Sequence, residues 1–128
     1  MTHDLTMLVW AAALALVQML VAVIAAQGQV GLVMLAGNRE AMPVLTGWAL
    51  RAQRAHLNML ESLVIFAIFV LVAHVTGKAN AMTALGCTLF FWGRVGYALV
   101  YLAGIPWLRT LVWAVSLAGI LLVLKALF

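Results

Sequence analysis

The polar stretch Arg51-Ala-Gln-Arg54-Ala-His56-Leu-Asn58-Met-Leu-Glu61 runs without a break into Ser62-Leu-Val-Ile-Phe-Ala-Ile-Phe-Val-Leu-Val-Ala73, which is apolar enough to enter a bilayer. At about 100° per residue, Arg51, Arg54, Asn58 and Glu61 share an arc of about 80° on one helix face. His56 falls elsewhere on the helix. A membrane helix with a polar face at one end is a strong constraint. Ionisable groups at that depth are costly unless they face a bundle interior, a partner or a water-filled cavity, so a site is the default reading.

Composition excludes an ordinary soluble domain. Of 128 residues, 68% are hydrophobic and 8% charged, where soluble chains run to about half and about a quarter. The expected class is an all-α integral membrane protein with four transmembrane helices in a bundle. The net charge of +4 comes from scattered Lys and Arg, not from a basic arm, so nucleic-acid binding is not expected. Cys87 is the sole cysteine. It excludes an intrachain disulfide and a thiolate metal cluster, and its apolar neighbours point to packing rather than thiol exchange. The methionines are scattered filler, and no metal site is expected. Met1-Thr-His-Asp4 lacks the basic n-region of a signal peptide, so the first apolar run is expected to be a retained helix.

One domain, 1–128, is expected, with helices over about 5–36, 47–76, 81–103 and 107–128. The first segment includes Leu5 to Ala26, a spanning length by itself, with Gln18 in its middle as an amide for a neighbouring helix. Asn38 to Gly47, with Pro43, reads as a loop. The second helix would be about 45 Å long against a hydrocarbon core of about 30 Å, so its first turns project outward. Arg51 is then wet and Glu61 deep. The short turn Gly77-Lys-Ala-Asn80 makes the second and third helices antiparallel neighbours. The third carries Gly86, Gly93 and Gly96, which permit close helix approach, and a stripe of Arg94, Tyr97 and Tyr101. The fourth has Arg109 near its start and Lys125 near its end. Arg39, Arg51, Arg54 and Arg109 fall at one end of the bundle, against Lys78 and Lys125 at the other. The positive-inside bias predicts loops 1 and 3 in the cytoplasm and both termini opposite. No internal repeat is visible.

Antiparallel geometry gathers Arg51, Arg54, Asn58, Glu61, Arg94, Tyr97, Tyr101 and Arg109 into one layer. Several guanidiniums with one carboxylate suit an anionic ligand bearing carboxylates, which Arg grips with paired hydrogen bonds. Plainer readings stand beside this one. Arg51 can serve as a topology signal, Arg94 with Glu61 as a buried ion pair, Tyr97 and Tyr101 as interfacial aromatics, and Arg109 as a helix-end anchor. Trp48 and Trp107 read as interface anchors. His56 reads as a headgroup or neighbour-subunit contact rather than a catalyst.

These residues resemble the MAPEG family, the membrane-associated proteins of eicosanoid and glutathione metabolism. The resemblance covers about Gly28 to the end. It rests on Arg54-Ala-x-x-Asn58-x-x-Glu61, then Gly93-Arg94-x-x-Tyr97-x-x-x-Tyr101, then Arg109. Asn38-Arg-Glu with Pro43 and Leu45-Thr-Gly47 is similar to the short bacterial branch. The resemblance implies a homotrimer in a bacterial inner membrane, with glutathione as co-substrate between adjacent subunits in a site open to the cytoplasm. It implies that Arg51, Arg54, Asn58, Glu61, Tyr97 and Tyr101 hold the tripeptide, while Arg109 is the catalytic arginine that stabilises the thiolate. A lipophilic small molecule would arrive from the membrane lipid. The sequence departs from glutathione-using relatives at Gly31, where they carry an arginine after Gly-Gln-Val, and at Leu57 and Ser62.

The leading expectation is therefore a membrane glutathione transferase or peroxidase acting on lipophilic electrophiles or hydroperoxides. The alternative is a non-catalytic MAPEG-like protein that binds a lipid or another anionic ligand. A small multidrug exporter shares the size and helix number, but such exporters centre on an acidic residue in the first helix, and the expected first helix has none.

Overall fold

The structure is a computed structural model that describes residues 1–128. The chain forms α1 (His3–Val30), α2 (Leu32–Ala36), α3 (Gly47–Val75), α4 (Ala81–Ala103) and α5 (Pro106–Ala126). All but the short α2 are long and apolar enough to cross a membrane. The four long helices run alternately up and down, and α1 packs on α3 and α4 while α5 packs mainly on α4 and more lightly on α3. The backbones of α1 and α5 make no close approach to each other. Large apolar side chains such as Val9, Leu16 and Leu121 stay exposed, as expected for helices whose outer faces are solvated by lipid.

Two differences from the sequence-based expectation concern α1. The continuous helix expected over 5–36 is interrupted at Gly31, which takes φ 83° and ψ 159°, a conformation open to glycine and strained for any side chain. Across the break, the Gln29 amide donates to the Thr46 carbonyl at 2.7 Å and accepts from the Thr46 N–H at 3.1 Å. That pair ties the end of α1 to the N-cap of α3. At its other end, α1 begins at His3 and takes in Asp4, which is buried in the first turn. The N–H groups and dipole of a helix N-terminus favour a carboxylate there. Gln18 is buried too, but its Oε1 meets no donor from a neighbouring helix.

Small residues set how closely the helices approach. Ala22 and Ala25 of α1 meet Ala49 and Ala52 of α3 in a flat seam. Between α4 and α5 the approach is tighter. A Cβ added to Gly86 would lie 2.6 Å from the Gly119 carbonyl oxygen, and one on Gly93 would lie 2.8 Å from the Ser116 nitrogen. Deeper in the bundle, Phe66 of α3 stacks on Phe90 of α4 with ring centroids 3.9 Å apart. Met59, Val70, Val123 and Cys87 surround them, all fully buried. Cys87 is thus a packing residue.

The turn between α3 and α4 is held by a reciprocal cap. Asn80 Oδ1 accepts from the Met82 and Thr83 N–H groups, and the Thr83 hydroxyl accepts from the Asn80 N–H. Such a cap satisfies helix donors that otherwise lack partners. Asn80→Ala is expected to cost about 1 kcal/mol, read as a small drop in melting temperature in detergent, with ligand binding at the far end of α4 unchanged.

Candidate functional site

The site is built at the end of the bundle where α3 and α5 begin and α4 finishes. On α3, Arg54, Asn58 and Glu61 follow one another at a turn's spacing, so one face carries a cation, an amide and a carboxylate. Arg54 and Glu61 are exposed, and Asn58 is half-buried with its Oδ1 enclosed and without a hydrogen-bond partner. On α4, Arg94, Tyr97 and Tyr101 form one stripe. α4 ends on Gly104, left-handed at φ 79°. Pro106 then opens α5, where its missing N–H is harmless and its fixed φ is already helical. This abrupt turn brings Arg109, in the first turn of α5, over the ring of Tyr101, with the guanidinium carbon 4.9 Å from the ring centroid.

Between the three helices lies a hollow of about 380 Å³ lined by Arg54, Asn58, Tyr97, Tyr101, Arg109, Thr110 and Trp113. Glu61 lines two adjoining spaces. One, with Arg54, Leu57, Tyr97 and Tyr101, is of about 280 Å³. The other, of about 270 Å³, runs between α3 and α5 past Ser62 and Ser116. Asn58 stands at the corner shared by all three. Two guanidiniums line the main space and one carboxylate stands beside it, so the local charge is positive. Such a set can hold carboxylates at the arginines and a cationic amine at Glu61.

A chain of aromatic contacts connects the hollow to the bundle interior. Arg94 packs over Tyr97 with its guanidinium carbon 4.2 Å from the ring centroid, and the rings of Tyr97 and Tyr101 lie 5.4 Å apart. Arg109 completes the series on the far side. The ring face carries negative charge density, which attracts a cation at this distance.

Of the eight residues singled out in the sequence, Arg54, Asn58, Tyr97, Tyr101 and Arg109 line the main hollow, and Glu61 its extension. Arg94 does not line it. It is 1% exposed, and none of its three guanidinium nitrogens has a hydrogen-bond partner. The ion pair with Glu61 that the sequence allowed is therefore not formed, and Arg94 faces the interior through Tyr97. Arg51 also lies apart. Its Nε donates to the Leu102 carbonyl at 3.2 Å, and its side chain lies against Gly104. The last carbonyls of a helix lack intrahelical donors, so Arg51 caps α4 from the neighbouring helix. Thr110 and Trp113 belong to the walls and were not singled out, and Leu57, noted in the sequence only as a departure from glutathione-using relatives, lines the extension. Thr110 follows Arg109 directly and Trp113 comes one turn later on the same face, which is the signal that identifies them. No group of three His, Cys, Asp or Glu side chains is close enough to hold a metal.

Comparison with the curated proteins finds no match. The family comparison is decisive for the whole architecture: the model described as "MAPEG family" matches residues 7–128, which takes in every helix that builds the hollow. An integral membrane protein by its four apolar helices, and matched over nearly its entire length, the chain belongs to the MAPEG family.

Proposed function

We propose that the hollow between α3, α4 and α5 binds glutathione, and that the protein is a membrane glutathione transferase or peroxidase acting on lipophilic electrophiles or hydroperoxides. The observation that carries this reading is the pairing of Arg54 and Arg109 on one ligand-sized space, with Asn58 Oδ1 enclosed and unpartnered between them. The residues suit the tripeptide. It bears two carboxylates for the guanidiniums, an ammonium for Glu61 and amide N–H groups for Asn58.

Glutathione, when bound, supplies the thiolate that attacks the electrophile. The chain's own part is positional and electrostatic. Arg109 stands at the mouth of α5 as a fixed cation, favouring the thiolate over the thiol, and the ring of Tyr101 holds its guanidinium in place. Arg54 and Asn58 orient the peptide from α3. Trp113 and the apolar flank of α5 offer a lipophilic partner a path from the bilayer. Arg54→Ala is expected to weaken glutathione binding at least about tenfold, the worth of one charge-assisted pair, as measured by calorimetry on detergent-purified protein. Absence of wild-type binding at millimolar thiol would overturn the reading.

The assembly we infer is a homotrimer, with the hollow completed by an adjacent subunit. On one chain, Arg54 and Glu61 are exposed on a helix long enough to cross the bilayer, and charged groups there need a protein neighbour. Light scattering in detergent tests for three copies. The basic loop ends favour a cytoplasmic mouth with both termini opposite, in a bacterial inner membrane.

A second reading, binding of an anionic ligand without turnover, is favoured by Gly31. Its φ of 83° would strain an arginine, the residue the family resemblance puts there in glutathione users. Glutathione binding without conversion of any electrophile would support it.

A further inference from the structure

Arg94 lines no part of the hollow, yet its place in the bundle is costly. It lies two residues past the middle of α4, within about 3 Å of the helix midpoint and so near the centre of a hydrocarbon core of about 30 Å. It is 1% exposed, and its Nε and both terminal nitrogens are enclosed without a hydrogen-bond partner. An ionised group at such depth is expensive and marks a functional site by default. An apolar side chain of similar volume would cost the fold less, since even a paired buried charge is often replaced without loss.

No carboxylate pairs with this cation. Helices α1, α3 and α5 pack on α4. On α1, Asp4 follows His3, whose ring hydrogen-bonds the Thr88 hydroxyl at 2.8 Å, and Thr88 lies about 9 Å back along α4 from Arg94. On α3, Glu61 is nearly level with Arg94, because Phe66 stacks on Phe90 in the antiparallel pair, but it lines the outer spaces. α5 brings Arg109, a second cation. What Arg94 does meet is the face of Tyr97, with its guanidinium carbon 4.2 Å from the ring centroid. Tyr97 in turn lines both the hollow and its extension. Arg94 thus reaches the hollow only through that ring.

A cation on a ring face draws on the electron density of the ring, which makes a phenol O–H a stronger donor. We propose that Arg94 is a positioning residue of the thiol site: through Tyr97 it makes that hydroxyl the donor that holds the thiolate of bound glutathione, while Arg109 supplies the counter-charge. The role rests on glutathione as the ligand of the hollow. The sulfur gives up its proton to water at the mouth, and the anion that remains accepts the Tyr97 O–H. Hydrogen bonds to an ion are roughly twice as strong as neutral ones, so this donor favours the thiolate over the thiol. Arg94 itself touches no ligand. Enclosed in the bundle, where the effective dielectric is low, its charge acts on the ring without screening by water.

Difference ultraviolet absorbance on adding glutathione to the detergent-solubilised full-length protein, followed against pH, reads the bound thiolate. Arg94→Met keeps the volume and removes the charge. The midpoint of thiolate formation is expected to rise by about one pH unit, a tenfold loss of thiolate below it, with a melting temperature equal to or above that of the wild type. Arg94→Lys returns a cation to the ring face and should recover part of the shift. Tyr97→Phe should raise the midpoint too, and Arg94→Met added to it should raise it no further, since both act through one hydroxyl. A wild-type midpoint in Arg94→Met would overturn the proposal. So would a full further shift in the Tyr97→Phe background, by showing a field that acts without the hydroxyl. A sharp fall in the melting of Arg94→Met would overturn it too, by giving the charge a role in the fold. Calorimetric titration of glutathione runs beside each measurement. No binding to the wild type would remove glutathione as the ligand, whereas binding with an unmoved midpoint would remove only the role of Arg94.

Discussion

Gly119→Ala is expected to destabilise the bundle by about 3 kcal/mol, the upper part of the range for overpacking a core. The added Cβ would lie 2.5 Å from the Gly86 carbonyl oxygen and 2.6 Å from the Phe90 nitrogen. Both are backbone atoms, so no rotamer change relieves the clash and α4 and α5 must separate. Separation would also spread the hollow, since Tyr97 and Tyr101 ride on one helix and Arg109 on the other. Thermal melting in detergent should show a fall on the order of 10 °C. Gly28→Ala is the control. It too lies within a long helix, but a Cβ there meets nothing within 4 Å, and alanine favours a helix by up to about 1 kcal/mol over glycine. The two substitutions should thus move the melting temperature in opposite directions. Equal melting of Gly119→Ala and wild type would refute the close α4–α5 contact.

Arg109→Ala is expected to lower the rate of glutathione conjugation about a hundredfold, the usual loss when one preorganised donor to a developing or stabilised anion is removed. The side chain lines the hollow and rests on the ring of Tyr101, so its removal takes away charge without opening the core. Melting should be nearly unchanged. Arg109→Lys restores charge but not the planar fork that stacks on the ring, and should recover about a tenth of the wild-type rate. A chromogenic aromatic chloride with saturating glutathione gives the readout. A rate in Arg109→Ala equal to that of the wild type would leave the non-catalytic reading as the better account.

The polar face of α3 was legible because helix periodicity is local. Arg54, Asn58 and Glu61 share a side whatever surrounds them, and Arg94, Tyr97 and Tyr101 must form a stripe. Bringing the two stripes together needed only antiparallel helices joined by a short turn. What could not be read was where each side chain points across a helix interface. Depth suggested that Arg94 pairs with Glu61, but Arg94 turns onto Tyr97 and leaves Glu61 on the outer wall. Arg51 shares the arc of Arg54, yet it is drawn to the open carbonyls at the end of α4, an acceptor that exists only once the helices have packed. The glycines of α4 announced a close contact without naming its partner, which proved to be Gly119 and Ser116 of α5.

From sequence alone follow the membrane class, the four spans and the residues able to form a cationic layer, because hydrocarbon length and helical repeat act within a segment and require no knowledge of its neighbours. Only the packed bundle decided that Gly31 breaks the first helix, that Arg51 and Arg94 leave the hollow while Thr110 and Trp113 join its walls, and that a second cavity lies behind α3. Those outcomes depend on atoms far apart in the chain competing for the same space and the same hydrogen-bond partners.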